Sequence, residues 1–214
     1  IINSQIADAA DAGSTVTLVD PFPLTGYIGP TVGHQLRDAA IISIFFSLIA
    51  IIVYIRLRFR EYKYGLAAAA ALVHDVLITL GAVAAARLTG LVDVEIDLPL
   101  IAAFLTIIGY SLNDTIVVFD RVRENLPRVN LPFKELMNLS INQTLSRTIL
   151  TSITTLLAVV ILFSLNYGQR NVLEGFSFAM IVGVLVGTYS SIFVASPVLL
   201  WLNTREKKLE AESK

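Results

Sequence analysis

The chain has 214 residues, 55% of them hydrophobic and only 15% charged, a balance that excludes an ordinary water-soluble globule and fits a membrane protein. A net charge of −1 gives no electrostatic case for nucleic acid as a partner. There is no cysteine for a disulfide framework or thiol chemistry, and the two histidines are far apart with no metal-ligand spacing around them. No glycine-rich phosphate loop and no Ser-His-Asp spacing supports an enzyme.

Residues 1–33 are polar and rich in turns. Residues 15–19 (TVTLV) alternate as a short strand. Prolines 21, 23 and 30 with glycines 26, 29 and 33 argue against a helix here. The stretch reads as the C-terminal end of a water-soluble domain and its linker, with a disordered leader as the alternative. The chain opens on Ile1 rather than methionine, which reads as a piece of something longer.

Five apolar spans follow, at about 39–57, 64–87, 98–120, 147–165 and 176–202. Each approaches or exceeds the roughly 20 residues needed to cross about 30 Å of hydrocarbon. Charge between them sets orientation. Arg56, Arg58, Arg60 and Lys63 follow the first span, Arg121, Arg123, Arg128 and Lys134 the third, and Arg205, Lys207 and Lys208 the fifth. The other side holds Arg87 and Arg170 with Asp93, Glu95 and Asp97. The positive-inside rule therefore puts residues 1–33, 87–97 and 166–174 outside, and the tail 204–214 in the cytoplasm. Between the third and fourth spans, Pro132 can begin a helix, and Phe133, Leu136, Met137, Ile141 and Leu145 recur at helical spacing. An amphipathic helix over about 132–145, lying in the interface and leading into the fourth span, is expected; the alternative is an ordinary cytoplasmic helix packed on the bundle.

Polar residues at membrane depth carry the chemistry. Asp114, beside Asn113, lies roughly 10 Å along the third span from Arg121. A charged group at that depth costs several kcal/mol by most estimates, so it is satisfied by a partner or kept as a working part. Tyr110 and Ser111 precede Asp114 on its own helical face. Arg147 begins the fourth span at a depth that can match Asp114, and Thr151, Thr154 and Thr155 continue as a ladder of hydroxyls. Asp75 sits mid-way along the second span beside His74. Two carboxyls, a guanidinium and several hydroxyls are the ingredients of a buried proton relay. Removal from water favours the neutral acid and a nearby guanidinium favours the carboxylate, so helix movement can load and unload such a site. The rival readings are a permanent Asp114–Arg147 ion pair that locks the bundle, and a structural hydrogen bond at Asp75. On the fifth span Gly175, Ala179, Gly183, Gly187, Ser191 and Ala195 form a seam of small residues, with Gly183 and Gly187 a GxxxG for close helix packing. Pro197 is expected to kink this helix near its end.

Long motifs then carry a resemblance. Residues 109–125 (GYSLNDTIVVFDRVREN), 141–155 (INQTLSRTILTSITT) and 186–201 (VGTYSSIFVASPVLLW), with LVHDVLITLG at 72–81 and GPTVG at 29–33, are similar to the SecF side of the SecD/SecF family of bacterial protein-export membrane proteins. The match covers nearly everything between Gly29 and Trp201. The resemblance implies an all-α polytopic membrane protein: five transmembrane helices of an RND-type six-helix bundle, preceded by the end of a small α+β periplasmic domain. It implies a subunit that pairs with SecD, fused or separate, in the bacterial inner membrane. That complex would use the proton gradient to help the SecYEG channel draw preproteins outward, with protons as the coupling ion and no other cofactor. It assigns the proton-linked aspartate to Asp114 and the essential arginine to Arg147, with Asp75 a candidate in its own matching motif. Asp120 and Arg121 belong to the signature too, but their place at the water boundary favours local salt bridges. A small-molecule or lipid exporter half of the same superfamily, or a non-transporting membrane scaffold, is the alternative.

Overall fold

The computed structural model describes residues 30–59 and 61–212. The strand expected at 15–19 and the soluble-domain end lie outside the described residues. The rest is helical: α1 (Pro30–Phe59), α2 (Tyr62–Leu88), α3 (Leu98–Asn125), α4 (Phe133–Asn166), α5 (Val172–Ser190) and α6 (Ser196–Glu212). Five helical stretches are long and apolar enough to cross a membrane: Arg37–Phe59, Tyr62–Leu88, Leu98–Asn125, Phe133–Asn166 and Val172–Leu209. Each contains one of the five spans read from hydropathy, give or take a few residues, and the fourth and fifth run beyond theirs.

Three boundaries differ from expectation. Helix α1 begins at Pro30, so residues 30–33 belong to it rather than to a linker. Proline suits a first helical position, where its missing N–H has no partner to lose, and one glycine in the first turn costs only about 1 kcal/mol. Secondly, the amphipathic stretch expected to lead into the fourth span is the start of the same helix α4, which runs unbroken over residues 133–166. No glycine or proline falls within it to break the ladder. At ~1.5 Å per residue it is ~50 Å long and outreaches a hydrocarbon core of ~30 Å. Thirdly, α5 and α6 form one rod joined by a π-helical turn, Ser191–Ala195. Pro197 has no N–H to offer the carbonyl one turn back, and the wider turn directly before it takes up the irregularity. The Ser196 hydroxyl donates to the Ser191 carbonyl at 3.0 Å, across the same turn.

Two helices start on side-chain caps at the acidic end of the bundle. The Asp97 carboxylate accepts from the Leu100 amide at 2.8 Å to open α3, and the Asn171 side chain accepts from Leu173 and Glu174 at 3.1 Å each to open α5. Helix α5 packs against α2, α3 and α4. Its small residues explain how. A Cβ on Gly183 would land inside the Ile107 side chain, and one on Gly187 would come within 2.9 Å of Ser111 Cβ. The expected glycine seam is thus the α3–α5 contact.

Apolar packing is split in two. At the arginine-rich end Ile55, Phe59, Tyr64, Phe119, Val122, Leu136 and Leu199 cluster. At the acidic end Val83, Val92, Val94, Leu100, Phe104, Ile107, Met180 and Val184 form a second cluster. Between them, α2 contributes Asp75, α3 contributes Ser111, Asp114 and Thr115, and α5 with its π turn contributes Ser190 and Ser191, all buried. A polar layer therefore crosses the bundle at mid-depth.

Candidate functional site

Asp75 is the most tightly held member of this layer. It is 1% exposed. Its Oδ2 accepts from Ser111 Oγ of α3 at 2.5 Å and from Ser190 Oγ of α5 at 2.7 Å, while His74 Nδ1 lies 3.0 Å from Oδ1. One carboxyl group thus ties three helices together. The tie depends on Gly187, since any larger residue there would push α5 off Ser111.

Asp114 is one turn beyond Ser111 on α3 and is held differently. It is 2% exposed, and its Oδ2 is buried without a hydrogen-bond partner. The Ser152 hydroxyl of α4 and the charge of Arg147 are the groups that bear on it. Ser152 Oγ is 2.7 Å from Thr188 Oγ1 of α5 and donates to the Thr148 carbonyl at 2.8 Å. The hydroxyl of Thr148 is itself buried and unpartnered. A buried polar atom without a partner is uncommon and costs about 1–3 kcal/mol, so two in one seam mark a place built for something other than tight packing.

Arg147 is exposed at the single-chain surface and forms no ion pair with Asp114 among the described residues. It lines a groove of about 510 Å³ between α3 and α4, together with Asn113, Asp120, Glu124, Gln143 and Thr144. The groove leads from the charged end of the bundle to the depth of Asp114. In this conformation no ion pair joins the acid and the guanidinium.

Of the residues singled out in the sequence, Asp75, Ser111 and Asp114 come together in the polar layer, and Arg147 approaches it from the groove with Asn113. Tyr110 does not join them: it packs against the acidic-end cluster, its hydroxyl buried and unpartnered. Thr151 bonds back to its own helix, to the Arg147 and Thr148 carbonyls at 3.1 and 3.0 Å. The hydroxyl ladder facing the bundle is Ser140, Thr144, Thr148 and Ser152, which with Leu136 and Met137 are the buried residues of α4, whereas Thr154 is exposed. Ser190, Thr188 and Thr115 escaped the sequence reading as well. Asp120 and Arg121 make local ion pairs as expected, Asp120 with Arg58 at 2.9 Å and Arg121 with Glu124 at 2.7 Å.

Comparison with known proteins gives one consistent picture. The family described as "Protein export membrane protein SecD/SecF, C-terminal" matches residues 23–205. Over 183 residues the chain is 56% identical to the protein translocase subunit SecF of Rhodothermus marinus, covering 85% of this chain and 58% of that one. Among solved structures it is similar to SecDF in a super-membrane-facing form, with a TM-score of 0.73 and 43% identity over 87% of this chain and 24% of that chain. The crystal structure of SecDF from Thermus thermophilus, described as a translocon-associated membrane protein, gives a TM-score of 0.71 and 46% identity over 82% of this chain and 23% of that chain. The chain thus spans little more than half the length of the SecF relative and about a quarter of the solved chains.

Proposed function

Because the chain belongs to the SecD/SecF family of protein-export membrane proteins, we propose that it is the membrane portion of a SecF-type subunit that couples proton flow to late steps of preprotein translocation. Its partners are a SecD-type half, fused or separate, and the SecYEG channel with its translocating preprotein. Support for the first is that the matching segment forms about a quarter of the solved SecDF chains. Support for the second is the description of one of those relatives as translocon-associated. The subunit sits in the bacterial inner membrane, with residues 1–33 outside and the C-terminal tail in the cytoplasm, as loop charge dictates.

The observation that carries this reading is the Asp114 carboxyl, buried with one oxygen unpartnered and next in the chain to Asn113, which lines the polar groove. That oxygen is the place for a proton to arrive and leave. Protons enter from outside along the α3–α4 seam, where the unpartnered Thr148 hydroxyl and the Ser152–Thr188 pair lie, and leave through the groove past Arg147. Approach of the guanidinium favours the carboxylate and its withdrawal favours the acid, so the position of Arg147 reports and sets the load. One elementary charge crossing 100 mV yields about 2.3 kcal/mol, enough to shift a two-state equilibrium well over tenfold. Asp75 serves this site as a tie that fixes Ser111, one turn from Asp114.

The test uses the full-length protein with its SecD-type partner in membrane vesicles, comparing wild type with Asp114→Asn. Loss of the gradient-dependent part of preprotein translocation, with the complex still assembled, is the expected result. Undiminished gradient-dependent translocation would overturn the relay.

A further inference from the structure

Helix α1 is fastened to the relay helix at one end. Among its described side chains only Ile55 and Phe59 are buried, both next to its C-terminus. Further up, Ile44 packs half-buried against the acidic-end cluster, while Ile42, Phe45 and Phe46 stand exposed. At the fastened end three kinds of contact converge on residues 119–123 of α3. The Phe59 ring stacks on Tyr64 at 5.2 Å and meets Phe119 edge-on at 6.3 Å. The Arg58 guanidinium pairs with Asp120 at 2.9 Å. The Arg123 guanidinium donates to the Arg58 backbone carbonyl at 3.1 Å.

These contacts differ in what they constrain. Aromatic packing holds two surfaces together but permits sliding along them. A charge-assisted hydrogen bond is directional and fixes register. The last carbonyls of α1 have no donor inside their own helix, so Arg123 caps it from α3 and places positive charge at the negative end of its dipole. Arg58 thereby binds α3 twice, once through its side chain and once through its backbone. Asp120 lies six residues past Asp114 on the same helix, an axial distance of ~9 Å.

We propose that Arg58, Asp120 and Arg123 form a joint that passes displacement of α3 on to α1. They are positioning residues. The inference rests on the proton-relay reading, because it needs α3 to move when Asp114 is loaded. The ion pair is half-exposed, and such pairs add about 0–1 kcal/mol to stability, so removing it leaves the buried aromatic contact to hold the fold. What removal takes away is register between the driven helix and the lever.

The test compares Arg58→Gln, Asp120→Asn and Arg123→Met with the exchanged pair Arg58→Asp/Asp120→Arg. All are made in the full-length protein with its partner in membrane vesicles, and Asp114→Asn is run alongside. The readout is the ratio of translocation with a proton gradient to translocation without it, normalised to assembled complex. Each single variant is expected to lower that ratio about fivefold or more, the lower end of coupling between sites, and the exchanged pair is expected to recover most of it. A ratio unchanged in the single variants while Asp114→Asn lowers it would overturn the joint and leave the relay standing. A fall in the amount of complex alone, with the ratio preserved, would overturn the joint as well. An unchanged ratio in Asp114→Asn would remove the relay and this inference with it.

Discussion

The Ser111 hydroxyl donates to Asp75 Oδ2 at 2.5 Å and joins α2 to α3 at the level where both apolar clusters stop. Ser190 donates to the same oxygen at 2.7 Å, so a single carboxyl group organises the middle of the bundle. Replacing it separates two roles. Asp75→Asn keeps an oxygen acceptor for at least one of the serines. Asp75→Leu leaves both hydroxyls without it, at about 1–3 kcal/mol each. The leucine variant should therefore lose thermal stability as purified complex, and the asparagine variant should retain most of both stability and gradient-dependent translocation. A stable asparagine variant with no such translocation would make Asp75 a proton station.

Gly187 makes that bond possible. An added Cβ would sit 2.9 Å from Ser111 Cβ and 3.3 Å from its Cα. At Gly183 the overlap is worse: the added atom would fall on Ile107 Cγ1 and Cδ1 and lie 2.8 Å from Cγ2, in a buried β-branched side chain whose χ1 is held by its helix. Gly183→Ala should consequently cost more than Gly187→Ala, by about 1–3 kcal/mol in overpacking. Thermal melts of the two variants check the order. A larger loss at Gly187 would show that Ile107 finds room and that Ser111 is what pins α5.

What the sequence made legible was whatever hydropathy and isolated charge could carry. The five spans needed only length and composition, and Asp75, Asp114 and Arg147 stood out because each is an ionisable group within or at the end of an apolar span. The inward face of α4 did not stand out, because residues 140–155 carry hydroxyls on every side of the helix. Thr151, Thr154 and Thr155 match a helical face as well as Ser140, Thr144, Thr148 and Ser152 do. Only contact with Thr188 of α5 decides which set is buried. Ser190 was hidden for a related reason: it lies outside the four-residue repeat that drew attention to Ser191. The amphipathic and apolar halves of α4 read differently in hydropathy, yet nothing in residues 133–166 interrupts the backbone ladder between them.

Asn171 offers a control at the far end. Its side chain accepts from the Leu173 and Glu174 amides at 3.1 Å, so Asn171→Ala should lower stability by about 1 kcal/mol through loss of the α5 cap. It lies at the acidic end, away from the polar layer. Gradient-dependent translocation per assembled complex should match wild type, which a vesicle assay can compare directly. A coupling loss without a stability loss would show that the α5 start belongs to the proton path.

Arg147 discriminates most sharply between a lock and a relay. If it were permanently paired with Asp114, its removal would strand a buried charge at a cost of about 3–5 kcal/mol, and the protein would fail to fold or assemble. Instead it lies exposed along the α3–α4 groove with no ion pair to Asp114, whose Oδ2 stays unpartnered beside it. Exposed substitutions of this kind fall within about 0.5 kcal/mol. Arg147→Met should therefore assemble and melt like wild type, yet lose the gradient-dependent part of translocation because no guanidinium arrives to favour the carboxylate. Arg147→Lys keeps the charge but not the planar fork, and should recover part of the lost coupling. Melting curves and vesicle translocation on the same preparations decide the matter. A methionine variant that unfolds would restore the static ion pair, and one that translocates normally would take Arg147 out of the mechanism.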